Sequence, residues 1–258
     1  MGDTAAVFLF LPGLFFVMLL LLEVGRRVGL RQTRDETEHE RGGRGLVEAA
    51  IYGLLGLLIA FTVSGAASRF DARRVLTVQE ANAIGTAYLR LDLLLAAAQP
   101  ALRAKFRDYT QERLAVFQSI PDLDASSAHE SRATKLQDEI WSGAIAALRD
   151  APQPATLLLL PALNDMIDIT TSRAIAARAH TPSILLGALA VLAVFCCLLT
   201  GYSLAGGRPL NSALHMLGFA LVVTLTIYII LDLDHPRVGL IRLDYADQAF
   251  VELLAKMK

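Results

Sequence analysis

The sequence predicts an all-α membrane protein: four transmembrane helices and a helical extramembrane domain built on extensions of spans two and three. Three observations predict it. The 258 residues are 54% hydrophobic yet 19% charged, too apolar for an ordinary soluble domain and too charged for membrane helices alone. Four apolar runs reach the ~20 residues that cross a bilayer core as a helix. The long segment between the second and third runs repeats its apolar residues at helical spacing and carries little strand signal.

The spans are 5–22 (AAVFLFLPGLFFVMLLLL), 46–67 (LVEAAIYGLLGLLIAFTVSGAA), 183–204 (SILLGALAVLAVFCCLLTGYSL) and 213–231 (ALHMLGFALVVTLTIYIIL). No basic region precedes the first run and Glu23-Val24-Gly25-Arg26-Arg27 follows it, so it reads as a retained span rather than a cleaved signal. Pro12 is tolerable near its start. Residues 1–67 thus form one transmembrane hairpin with an Arg/Glu-rich loop from Glu23 to Gly45. Residues 68–180 form the helical domain, 181–231 a second hairpin turning at Ala205 to Pro209, and 232–258 a C-terminal tail.

Inside the domain, Leu76, Ile84, Ala87, Leu91 and Leu94 continue span two as one helix, since no proline falls between Leu46 and Pro100. Leu102, Phe106, Tyr109, Phe117 and Ile120 mark a second helix. A loop is expected from Pro121 to Glu130, then a third helix through Leu136, Ile140, Ala144 and Leu148. Ala151-Pro152-Gln153-Pro154 breaks it. A fourth helix is expected to start near Pro161 and to run through Leu163, Ile167 and Ile175 to Pro182.

Four spans place both termini and the domain on one side. The loop on the other side carries Arg26, Arg27, Arg31, Arg34, Arg41 and Arg44, while the tail before span one has no Lys or Arg. Basic loops stay in the cytoplasm and long segments translocate largely regardless of charge. The rule therefore places the domain outside the cytoplasm, despite Arg69, Arg73, Arg74, Arg173 and Arg178. A net charge of -1 gives no bias towards nucleic acid. Cys196 and Cys197 are adjacent and read as small apolar fillers.

Polar residues that interrupt apolar patterns are the candidate functional positions. Span two carries Thr62, Ser64 and Ser68 and then Arg69. Such small hydroxylic residues either let helices approach closely or line a pore, here ending in a cationic ring that attracts anions. Glu80 lies on the apolar row between Leu76 and Ile84, and Arg113 between Tyr109 and Phe117. An antiparallel hairpin about Pro100 brings both to similar heights, as a structural ion pair or an ion site. Asp165 and Asp168, with Asn164 and Thr171, form a solvated face or a set of oxygen ligands for a cation.

Asp232 and Asp234 stand where span four ends, at the disfavoured end of the helix dipole. Span parity brings them to the level of Arg69, Arg73, Arg74 and Arg178. The pair is expected to join Arg73, Arg74 and Arg178 in a charge network at the membrane boundary, or to bind a cation. No Gly-rich phosphate loop, metal-spaced His/Cys set or nucleophile elbow is present, which argues against an enzyme. No cofactor is implied.

Three stretches carry a resemblance: AFTVSGAASRFDARRVLTVQEANAIGTAYLRLDLL (60–95), LNDMIDITTSRAIAARAHTP (163–182) and ILDLDHPRVGLIRLD (230–244). They resemble the bacterial membrane proteins grouped as a bestrophin-like domain family, most specifically in Glu80-Ala81-Asn82-Ala83 following Arg69-Phe70-Asp71. The name implies a distant similarity to bestrophins, homo-pentameric anion channels whose long helices continue from membrane to cytosol. In some of them an acidic cluster just after the last span binds calcium. Two function classes follow. One is a homo-oligomeric ion channel in the lipid bilayer, conducting small inorganic anions, with span two lining the pore. The other is a non-transporting membrane scaffold or sensor whose domain binds a partner or ligand.

Overall fold

The structure is a computed structural model that describes residues 2–32, 38–120 and 122–257, with side chains from residue 11 onward except 33–43 and 121. All regular structure among these residues is helical. In order the helices are α1 (Gly2–Gln32), α2 (Glu38–Arg90), α3 (Gln99–Gln118), α4 (Leu123–Leu148), α5 (Gln153–Arg178), α6 (Ser183–Ser203), α7 (Pro209–Asp234) and α8 (Asp244–Lys256), with a 3-10 turn at Leu91–Leu93. Among the described residues three helical stretches are long and apolar enough to cross a membrane: Arg44–Leu93, Gln153–Ser203 and Pro209–Asp234. The side chains of Ala5 to Phe10, the first third of the expected span one, lie outside the described residues.

The chain divides into two compact units. The first comprises residues 1–68 and 180–235. Its core joins Met18 and Leu22 of α1, Leu55 of α2, Leu189, Ala193, Cys196 and Cys197 of α6, and Met216, Ala220 and Val223 of α7. Leu57, Phe61, Ile184, Val191, Leu214 and Val222 are exposed around it, the arrangement of a bundle whose outer solvent is hydrocarbon. α1 and α6 cross closely because Gly25, Gly29 and Gly201 have no side chain at the contact. A Cβ at Gly29 would lie 2.6 Å from the Tyr202 carbonyl oxygen, and one at Gly201 would overlap that of Leu22. Small residues four apart are the usual means of such backbone approach in membranes.

The second unit comprises residues 69–179 and 236–258. Its core draws Ile84, Ala87 and Leu91 from α2 and the turn, Leu102, Phe106 and Tyr109 from α3, and Ile140 and Ala144 from α4. Leu159, Leu163 and Met166 of α5 and Phe250 of α8 complete it. The apolar rows of all five helices face one another, which is what their periodicity requires.

Several boundaries differ from the sequence expectation. The loop from Glu23 to Gly45 is helical to Gln32 and again from Glu38; residues 33–37, with Arg34, and the side chains of 38–43, with Arg41, lie outside the described residues. Glu23 pairs with Arg26 and Arg27 at 2.8 Å each, three and four residues on, a spacing that supports helix beyond the apolar run. The expected loop from Pro121 to Glu130 is α-helix from Leu123. The Asp122 side chain accepts from the Ala125 N–H at 3.0 Å and caps its start. α5 starts at Gln153, with a proline in its first turn, and carries Pro161 inside. Proline suits a first turn, so Pro154 opens the helix and Pro161 costs it one hydrogen bond. Of the expected tail 232–258, the described residues 232–257 contribute the end of α7 and the amphipathic α8, whose Phe250 is fully buried.

Candidate functional site

α2 presents two faces along its membrane segment. Glu48, Leu55, Thr62 and Ala66 are buried. The Thr62 hydroxyl donates to the Leu58 carbonyl oxygen one turn back, at 2.7 Å, which satisfies it within its own helix. Ser64 and Ser68 are exposed, on the side shared by Phe61 and Leu57, and Arg69 is half-buried. Thr62 and the two serines therefore lie on different sides of the helix. On the buried side, the Ser203 hydroxyl bonds both oxygens of Glu48 at 2.6 and 2.7 Å. Tyr52 and Thr200 join their hydroxyls at 3.0 Å.

Within the first unit the end of α7 meets the start of α6. Asp234 is 2% exposed, and its Oδ2 accepts the Thr181 backbone N–H at 2.7 Å. Asp232 is buried too, and the Tyr228 hydroxyl donates to its Oδ1 at 3.2 Å. The rings of His180 and His235 stack with centroids 4.9 Å apart. An acid at a helix C-terminus is electrostatically misplaced, but here Asp234 also faces the positive end of α6.

In the second unit, Arg73 donates from Nε to the Ala176 carbonyl at 3.0 Å and from Nη2 to that of Ala179 at 2.6 Å. It thus satisfies carbonyls at the C-terminus of α5, where cations are favoured. Arg74 pairs with Asp71 at 3.2 Å. Arg178 is exposed in the last turn of α5, and Asp165 and Asp168 are exposed along it. Among the described residues no group of three or more His, Cys, Asp or Glu side chains is placed to hold a metal ion.

The densest polar arrangement centres on Glu80, which is fully buried. Arg113 Nε donates to its Oε1 at 2.5 Å and Arg173 Nη1 to its Oε2 at 2.7 Å. Arg113 Nη1 reaches Glu130 Oε2 at 2.7 Å. On the far side Arg173 Nη2 lies 4.0 Å from Asp247 Oδ1, and Asp247 takes two hydrogen bonds from Arg237, at 2.5 and 2.8 Å. Charge therefore alternates from Glu130 through Arg113, Glu80, Arg173 and Asp247 to Arg237, tying α2, α3, α4, α5 and α8 together. The Phe117 ring receives three guanidinium groups, Arg173 at 3.6 Å, Arg113 at 5.7 Å and Arg237 at 5.8 Å from its centroid.

Burial alone would push the Glu80 carboxyl up. The charges of Arg113 and Arg173 and their hydrogen bonds outweigh it and hold the group below the usual carboxylate range. Sequence reasoning placed Glu80 and Arg113 on apolar rows, with Phe117 one turn from Arg113, but missed Arg173 and Asp247 as their neighbours. The signal for Arg173 was present: Leu159, Met166 and Arg173 recur every seventh residue and are all buried. For Asp247 the signal was its place on α8 beside Leu243, Ala246 and Phe250, which are buried with it.

Comparison with known proteins places this architecture. A variant of a bacterial Bestrophin homolog from Klebsiella pneumoniae superposes with a TM-score of 0.72 at 13% identity, over 94% of this chain and 98% of that one. A second variant gives 0.68 at 14% identity over the same shares. The homolog solved by zinc phasing gives 0.68 at 15% identity, over 94% and 97%. These likenesses show a shared fold. A search of curated proteins finds no significant match. The family model of the Bestrophin-like domain matches residues 13–247, nearly the whole chain. A membrane protein with these apolar helices and this helical unit, the chain belongs to the Bestrophin-like family.

Proposed function

We propose that the chain is a homo-oligomeric ion channel of the bacterial plasma membrane, conducting anions, with span two lining the pore. One observation carries the reading: Ser64 and Ser68 are exposed on α2 while its buried side is fully used by the bundle. Hydroxyls facing lipid gain nothing, whereas at a shared axis they meet water and ions. Ser64, Ser68 and Arg69 line the conduit, and Thr62 stiffens its wall through the bond to Leu58. α1 supplies the fourth span, and the arginines around residues 26–44 keep their side cytoplasmic, with the helical unit outside.

Asp232 and Asp234 close span four at the membrane boundary, and the Glu80–Arg113 pair is the keystone of the domain. The two acids are the first candidates for a regulatory cation, ahead of Asp165 and Asp168. The test is flux from liposomes containing the purified protein, combined with native mass. A ring-shaped oligomer with chloride flux is the expected result; a monomer with no flux of any ion overturns it.

A second reading, a non-transporting sensor, is favoured by the five-helix charge network, which would pass a ligand-induced helix shift as a rigid body. Ligand binding with no ion flux would select it.

A further inference from the structure

Beside the charge network the helical unit holds a cleft of about 400 Å³, whose lining includes apolar Phe117, Ile120 and Val251 and charged Arg237, Arg242, Asp244 and Asp247. The charged residues are not equivalent. Arg237 and Asp247 satisfy each other through two hydrogen bonds at 2.5 and 2.8 Å. Arg242 and Asp244 are more than half exposed, and they stand 3.6 Å apart. Asp244 lies 3.7 Å from Arg237. Both separations are too long for a hydrogen bond. The mouth of the cleft therefore keeps one guanidinium fork and one carboxylate side by side with donor and acceptor capacity to spare.

The other components suit the same ligand. Gln118 and Gln248 add neutral amides to the lining. Asp244 opens the first turn of α8, where the helix dipole favours its charge, and its ion pairs with Arg237 and Arg242 leave its oxygens without a hydrogen bond from either. Arg173 lies over the Phe117 ring at 3.6 Å, so Phe117 is anchored from the protein side and offers the cleft a fixed apolar surface.

We propose that this cleft binds a free α-amino acid with an apolar side chain. Its carboxylate pairs with Arg242 in bidentate geometry, its ammonium with Asp244, and its side chain lies against Phe117, Ile120 and Val251. An α-amino acid carries its two charges on neighbouring atoms, which matches a cation and an anion standing side by side. A simple anion would meet Asp244, and a simple cation would meet Arg242, so each is repelled by half of the site. The inference does not rest on ion conduction and holds for a channel or a sensor.

The test is isothermal titration of the full-length protein in detergent with L-phenylalanine and L-leucine. The comparison probes are 3-phenylpropanoate, 2-phenylethylamine and N-acetyl-L-phenylalanine, each lacking one charge. Saturable binding of at least one amino acid is expected, with a loss of about tenfold or more for every probe lacking a charge. Arg242→Gln and Asp244→Asn should each weaken binding by a similar factor, and Val251→Trp should fill the cleft and abolish it. Arg242 and Asp244 are exposed, so these two variants should melt like the parent. Absence of saturable binding by both amino acids overturns the proposal. So does 3-phenylpropanoate binding as tightly as L-phenylalanine, or binding unchanged in both charge variants.

Discussion

The carboxylate of Asp234 accepts the backbone N–H of Thr181 at 2.7 Å, with both residues buried. One acid at the end of α7 thereby satisfies a backbone donor that precedes α6, 53 residues away in sequence. Replacing Asp234 by Ala leaves that donor without its acceptor in a buried place, which costs about 1–3 kcal/mol. Thermal unfolding of the purified protein should show a lower midpoint for Asp234→Ala. Asp234→Asn, which keeps an acceptor, should lose less. Equal midpoints for parent and Asp234→Ala would remove the bond from the stability account.

Glu80 is the one acid between Arg113 and Arg173. Glu80→Gln leaves two buried guanidinium groups facing a neutral amide, and breaking a buried pair in this way costs about 3–5 kcal/mol. The variant should unfold well below the parent. A compensating loss of one cation, in Glu80→Gln with Arg173→Met, should recover part of the difference, and a double-mutant cycle measures the coupling.

The same carboxyl sets a pH dependence. Its pKa is depressed in the folded state, so its contribution is fully present above the unfolded value near 4.3 and is lost as pH falls through the lower, folded value. Glu112, held down by His129 and Arg132 against the upward pull of burial, and Glu139, held down by Lys105, act in the same direction. Stability should be flat from about pH 7 to pH 5 as regards these groups and should decline in more acidic solution. The decline should be shallower in Glu80→Gln than in the parent when unfolding midpoints are compared across pH.

At the α1–α6 crossing the constraint is steric. A Cβ at Gly201 would overlap the Leu22 carbonyl oxygen, a backbone atom that cannot rotate away. Gly201→Val should force the helices apart at a cost of about 1–3 kcal/mol. Gly218, with no neighbour within 4 Å of its Cβ position, should accept Ala without loss. The two variants compared in one melting experiment check the crossing.

For conduction, Ser64→Asp and Ser68→Asp add negative charge to the exposed side of α2 without entering the bundle. Chloride flux in liposomes should fall several-fold in both, with unfolding midpoints unchanged. An acidic residue substituted for buried Thr62 should instead destabilise the protein, because the charge has no partner among the apolar residues of the bundle.

Much of this molecule is written in local patterns. Mean hydropathy and run length mark the apolar helices, and the apolar rows of α2 through α5 mark the faces that meet in the second unit, because each depends only on residues a few turns apart. Glu80 and Arg113 are conspicuous in the sequence for the same reason: each interrupts a row. The start of α4 depended on one side chain, Asp122, capping a stretch whose Ser, Asp and His composition reads as loop. The start of α5 depended on Pro154 being a first-turn residue rather than a break. Tertiary structure alone decided the partners. Arg173 reaches Glu80 across 93 residues, Asp234 reaches Thr181 across 53, and α8 brings Phe250 into a core begun at Ala81 and Asp247 to Arg173. It also decided that Thr62 turns inward while Ser64 and Ser68 turn outward, since spacing defines faces but not which face its neighbours cover. Periodicity reports which side of a helix must be buried; only packing between distant segments determines what buries it, and so which charges meet.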